Sequence, residues 1–115
     1  MSKVNLIALA SALSITATAI QAGIKLNKTP LLGGQGWSAS LENQAPVGGA
    51  GVVLIQGHDQ VGGSVPASGD AGWYTIATLN AAAPLVQEIE LPNFIRTNVS
   101  VIGTGTVTIN LYGVQ

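Results

Sequence analysis

The chain has 115 residues and a mass of 11.6 kDa, room for one domain. Hydrophobic residues make up 47% and charged residues only 8%, against roughly 25% in an ordinary soluble domain, and four Lys and Arg against five Asp and Glu leave a net charge of -1. A basic nucleic-acid surface is excluded by four scattered cations, Lys3, Lys25, Lys28 and Arg96; disorder is excluded by the apolar, near-neutral composition; disulfides and Cys zinc sites are excluded because Cys is absent.

Lys3, the apolar run Val4 to Ile20 and then Gln21-Ala22-Gly23 have the layout of a secretory leader. A cut after Ala22 would put Ile20 where a small residue belongs. The run also holds Asn5, Ser11, Ser14, Thr16 and Thr18, too polar for a leader core or a membrane span. It is therefore read as part of the mature fold. Leu6, Leu9, Ala10 and Leu13 have helical spacing, so residues 1–12 are expected as an arm or a short helical turn. From Leu13, strict alternation through Ile15, Ala17 and Ala19 predicts a half-buried strand.

Ala22 to Gln35 carries Gly23, Pro30, Gly33 and Gly34 and reads as loop. Trp37, Ala39 and Leu41 alternate with Ser38, Ser40 and Glu42, a strand. Pro46 and Gly48-Gly49 break the chain. Val52-Val53-Leu54-Ile55 is a continuous apolar run, the pattern of a strand covered on both faces. Gly57 to Ala71 is a Gly-rich loop. Gly72 to Leu79 is a strand expected to carry Trp73, Thr75, Ala77 and Leu79 on one face, and Ala81 to Pro84 turns the chain.

Leu85 to Leu91 is a strand with Glu88 and Glu90 on its polar side, ended by Pro92-Asn93. Ile95, Thr97, Val99 and Val101 alternate with Arg96, Asn98 and Ser100. Gly103-Thr104-Gly105 reads as a tight hairpin loop leading into Val107, Ile109 and Leu111. About seven short strands without an amphipathic helix predict one all-β domain over 1–115, an antiparallel β-sandwich or barrel.

The residues able to do chemistry are few. His58-Asp59 and Asp70, with Ser64 or Ser68, supply the types of a catalytic triad, but no Gly-x-Ser-x-Gly elbow is present and adjacent His and Asp point apart. The same His58, Asp59 and Asp70 lack the spacing of a zinc or calcium motif. Glu88 and Glu90 stand roughly 7 Å apart at Cα, within the range of glycosidase carboxylates, but two acids on one strand are ordinarily a solvated face. They are also placed to meet Arg96 across the Pro92 turn, or Lys25 or Lys28 of a neighbouring copy. Gly33-Gly34-Gln35-Gly36 lacks the Lys-Ser/Thr of a phosphate loop. No catalytic residue, metal ligand or cofactor is assigned, and the chain is read as non-enzymatic.

A folded monomer of this mass exposes on the order of 5,800 Å². So few charges over that area describe a surface shaped to be covered by copies of itself or by a larger partner; the competing description is a coat of uncharged polar groups. Trp37 and Trp73, each following a Gly, serve either as packing or as interface anchors. The interface candidates are Trp37, Trp73, Glu88, Glu90 and Arg96.

The C-terminal stretch Glu90-Leu91-Pro92-Asn93-Phe94-Ile95-Arg96-Thr97-Asn98-Val99-Ser100, with Gly103-Thr104-Gly105-Thr106-Val107-Thr108 and Tyr112-Gly113-Val114-Gln115, resembles the end of small virion proteins of tailed bacteriophages. That group includes capsid decoration, or cement, proteins. The resemblance implies a jelly-roll-like sandwich and a homotrimer on the capsid exterior, assembled in the host cytoplasm. The implied partners are the major capsid protein and the chain itself, with no nucleic acid and no membrane. A secreted carbohydrate-binding or adhesin-like β-domain, and a head-fibre or tail component, are the alternatives.

Overall fold

Alternation governs the C-terminal strand of the chain. Val107, Ile109 and Leu111 are buried, the last two completely, while Thr108 and Asn110 between them stay half exposed. A pleated strand sends successive side chains to opposite faces, so this pattern makes one face core and the other surface. The structure is a computed structural model that describes residues 3–26 and 38–114, with side chains for 8–26 and 39–112.

The described residues form nine strands and no helix: β1 (Lys3–Ser14), β2 (Ala19–Ile20), β3 (Ile24–Lys25), β4 (Ser38–Asn43), β5 (Val52–His58), β6 (Tyr74–Leu79), β7 (Val86–Glu90), β8 (Phe94–Val101) and β9 (Thr106–Val114). They build two antiparallel sheets. The first has the order β1-β9-β4-β7; in the second, β8-β5-β6 continues from β2 and β3, which both pair with β8. The pairing is nested. β1 pairs with β9, β2 and β3 with β8, β4 with β7, and β5 with β6, while β4–β9 and β5–β8 contacts complete the sheets.

The two sheets stack as a β-sandwich 40 × 34 × 18 Å in extent. The 18 Å thickness fits two sheets about 10 Å apart with their outer side chains. Ile15, Leu41, Val53, Ile55, Ile109 and Leu111 lie at the centre of the layer between them.

Five expectations need correction. Residues 3–14 are neither an arm nor a helical turn but the long edge strand β1. Three register shifts along its pairing with β9 put Leu9 and Ala10, consecutive residues, both in the core. Bulges therefore produce the spacing that resembled a helix. The alternation after Leu13 does not continue as one strand, because the chain bends at Thr16-Ala17 before β2.

In β5, Val53 and Ile55 are fully buried but Val52 and Leu54 only partly, so this strand is covered completely on one face alone. In β6, an irregularity opposite Ile55 and Gln56 shifts the register. Thr75 turns to the outer face with Gln56, and Ile76 packs at the margin of the core.

Gly103-Thr104-Gly105 does not close a hairpin. β8 and β9 belong to different sheets, and this segment is the corner between them. Thr104 bridges to Gly48, and Gly103 N–H donates to the Ile15 carbonyl at 2.8 Å. A Cβ on Gly103 would collide with the Gly48 carbonyl, so the corner needs glycine for close approach.

Candidate functional site

The outer face of the second sheet carries a polar cluster roofed by the loop between β5 and β6. Alternation along β8 points Ile95, Thr97 and Val99 inward and Arg96 outward, opposite Gln56 of β5. Exposure does not follow: Arg96 is only 5% exposed. Its Nε donates to Gln56 Oε1 at 2.9 Å and its Nη1 to the Ser68 carbonyl at 2.9 Å. Its Cζ lies 4.1 Å from the centre of the Trp73 ring, a cation–π stack. Trp73 is held in turn by Nε1 donating to the Ala67 carbonyl at 2.9 Å. Burial lowers the pKa of Arg96 from its ordinary value.

His58 meets Trp73 edge to face, with ring centres 5.2 Å apart. Its Nδ1 accepts from the Gln60 N–H at 3.0 Å, which leaves the ring proton on Nε2, 2.9 Å from Asp70 Oδ1. Asp70 Oδ1 also accepts from the Gly72 N–H at 2.8 Å. The His58 hydrogen bond first, and the Gly72 N–H second, hold the Asp70 carboxyl below the ordinary carboxylate range. A Cβ on Gly72 would strike His58 Nε2, so the glycine lets the loop lie against the ring.

Both imidazole nitrogens are thus committed, and neither is presented to Ser64 or Ser68. Asp59 turns away from Asp70 and accepts from the Tyr74 hydroxyl, 3.1 Å from each carboxylate oxygen. Tyr74, Asp59 and Glu90 line a second depression of about 300 Å³. Burial first, then Asp59 and the charge of Glu90, raise the Tyr74 pKa. Among the described residues no group of three or more His, Cys, Asp or Glu is placed to hold a metal ion.

Beside Trp73 and Arg96 lies an open cleft of about 350 Å³, with Ile20, Gln21, Ala22 and Gly23 on one side and Val65, Pro66 and Ser68 on the other. A Cβ on Gly23 would lie 2.8 Å from the Trp73 ring, so that side of the indole is packed.

The other interface candidates are distributed over the sandwich. Glu88 and Glu90 are exposed on the outer face of the first sheet, where the β4–β7 register sets Glu88 against Ser40, and Glu42 shares this face. Arg96 sits on the opposite sheet under Trp73, so the pairing of Glu88 or Glu90 with Arg96 across the Pro92 turn does not occur within the chain. Trp37 lies outside the described residues. Sequence reasoning missed Gln56, Ser68 and Tyr74 as partners; only Asp70-Ala71-Gly72 carried a local signal, that of an Asp side chain capping its own turn.

Away from the loop the outer face of the second sheet is different. The row Ile20–Asn98–Leu54–Thr78 crosses four strands, and Val52 and Val101 pair beyond it; none of these is ionisable. Ile20 and Val101 are about half exposed, and Ile102 more so. A shallow groove of about 470 Å³ runs between Thr18–Ile20 and Asn98–Ser100.

No family model matches the chain, no curated protein matches it, and no solved structure matches it.

Proposed function

We propose that the chain is a non-enzymatic capsid decoration protein with a jelly-roll fold, docking on a virion exterior through the uncharged outer face of its second sheet. The nested pairing, first strand with last and so on inward, supports the jelly-roll reading, because a long antiparallel ribbon rolled into two sheets pairs in this way. Virus capsid and lectin domains both use that architecture, so the functional argument rests on the surface.

The observation that carries the proposal is the face built on Ile20, Leu54, Thr78, Asn98 and Val101. It lies on a broad side of a molecule 40 × 34 Å across, the kind of surface on which a specific interface buries about 800 Å² per partner. It lacks the long charged side chains whose ordering and desolvation oppose docking. Repetition on a symmetric lattice, with trimers of the chain as the preferred unit, adds effective concentration to modest single contacts. The acidic face with Glu42, Glu88 and Glu90 is left toward solvent.

The test is cosedimentation with purified tailed-phage capsids, alongside analytical ultracentrifugation of the free chain. Binding that saturates at a fixed copy number per capsid is expected. A monomer at micromolar concentration that ignores capsids defeats the proposal, and binding to a glycan array instead moves the reading to a lectin-like module.

A further inference from the structure

Arg96 carries a charge that the fold does not balance. Its guanidinium has five N–H groups. One on Nε and one on Nη1 are taken by the Gln56 and Ser68 oxygens, both uncharged. Among the described residues the ion pair is His58 with Asp70, and no carboxylate lies within ion-pair distance of Arg96. A cation removed from water without an anion is a costly arrangement.

Nη2 has no hydrogen-bond partner among the described residues, yet the buried side-chain atoms left unsatisfied there are Asn43 Oδ1 and Thr97 Oγ1. Nη2 therefore reaches open space, and the space that Arg96 lines is the cleft beside Trp73.

We propose that this cleft binds a carboxylate monoanion carrying a short hydrocarbon portion. The open corner of the guanidinium presents planar N–H donors, which suit a carboxylate. Stacking on Trp73 and two fixed hydrogen bonds hold that plane in place before any ligand arrives, which reduces the ordering cost of binding. Ile20, Ala22, Val65 and Pro66 supply apolar walls for methylene groups. The charge count selects the class of anion. One cation faces the cleft, with no second Lys or Arg and no helix terminus among its lining residues, so a phosphate dianion would remain uncompensated.

The carboxylate has two sources, a free small acid or an Asp or Glu side chain of a polypeptide. The site does not depend on the decoration reading, since a chain that never meets a capsid still binds a small carboxylate if the site is real.

The test titrates the full chain at matched ionic strength with sodium propionate, sodium chloride, inorganic phosphate, a blocked tripeptide centred on Glu, and its Gln counterpart. The readout is the indole N–H resonance of Trp73, assigned by comparison with Trp37→Phe. A saturable displacement by propionate, by the Glu peptide or by both is expected, with none from chloride or the Gln peptide. Propionate alone identifies a free acid as the source; the Glu peptide, with or without propionate, identifies a polypeptide side chain. Arg96→Gln should weaken the response at least tenfold. Ala22→Phe, which fills the cleft mouth and leaves the Arg96 hydrogen bonds intact, should do the same, so the result does not hang on the folding of the Arg96 variant. The site is refuted if no carboxylate saturates the signal, if chloride or the Gln peptide matches it, if phosphate saturates at lower concentration than propionate, or if Ala22→Phe responds like wild type.

Discussion

Asp70 shows what one residue contributes when its partners come from a loop. It accepts from the Nε2–H of His58 and from the N–H of Gly72, and both donors favour its ionised form. Its pKa is lower in the folded chain than in the unfolded one. Its contribution to stability is then fully present above the ordinary carboxylate pKa of about 3.9 and is lost as pH falls through the lowered value. Asp70→Asn keeps an oxygen for both donors but removes the charge. Urea midpoints of wild type and Asp70→Asn should differ near neutral pH, with wild type the more stable, and converge as pH falls below that lowered value. Parallel curves across that range would show that the hydrogen bonds act without the charge. The sequence made His58, Asp59 and Asp70 visible as a group but could not say which acid the imidazole meets. That depends on the Gly72 backbone lying against the ring, a contact between residues 14 positions apart that no local pattern encodes.

Elements were legible wherever period two was unbroken. β4, β7 and β9 follow their alternation, β8 follows it as far as Val99 before a register shift turns Val101 outward, and Ile89 is buried between exposed Glu88 and Glu90 as that pattern requires. Legibility failed at irregularities. The bulges of β1 mimic helical spacing, and the extra residue Ile76 reverses the facing of Thr75. It failed also at Gly103-Thr104-Gly105, because a Gly-x-Gly segment suits a hairpin and an inter-sheet corner equally, and the choice rests on the distant Gly48–Gly51 segment. The two geometries make opposite forecasts. Gly105 has φ of 78° and open space around its Cα, so Gly105→Ala meets only backbone strain, about 1 kcal/mol. Gly103→Ala drives a methyl group into the Gly48 carbonyl, the Gly51 backbone and the Ile15 side chain, overpacking that should cost about 3 kcal/mol. Denaturant unfolding of the two variants decides between them. A hairpin would make Gly105→Ala the worse; the corner makes Gly103→Ala the worse.

At the scale of the molecule, four cations and five anions share 5781 Å² of accessible surface, and they are not spread evenly. Glu42, Glu88 and Glu90 lie on one outer face, Arg96 is roofed by Trp73, and the row from Ile20 to Thr78 carries no charge. A surface made for covering is what composition suggests, and it cannot name the side, because a count of charges is blind to the sheet each strand joins. The register shows which face lacks charge, the face proposed for docking, and substitutions at exposed positions test that proposal without disturbing the core. Thr78→Lys places a long hydrated cation in the middle of the uncharged face, where docking would have to strip its water without supplying an anion. Glu88→Gln removes a charge from the opposite face and leaves its shape unchanged. Both variants should keep the wild-type unfolding midpoint within about 0.5 kcal/mol, since both side chains are exposed. Thr78→Lys should weaken capsid cosedimentation by at least about tenfold, a penalty of about 1.4 kcal/mol, and Glu88→Gln should leave it unchanged. If Glu88→Gln alone weakens binding, the acidic sheet is the docking face and the uncharged one looks outward. If neither does, the interface lies on an edge of the sandwich, where β1, β6 and β7 leave strand edges unpaired among the described residues.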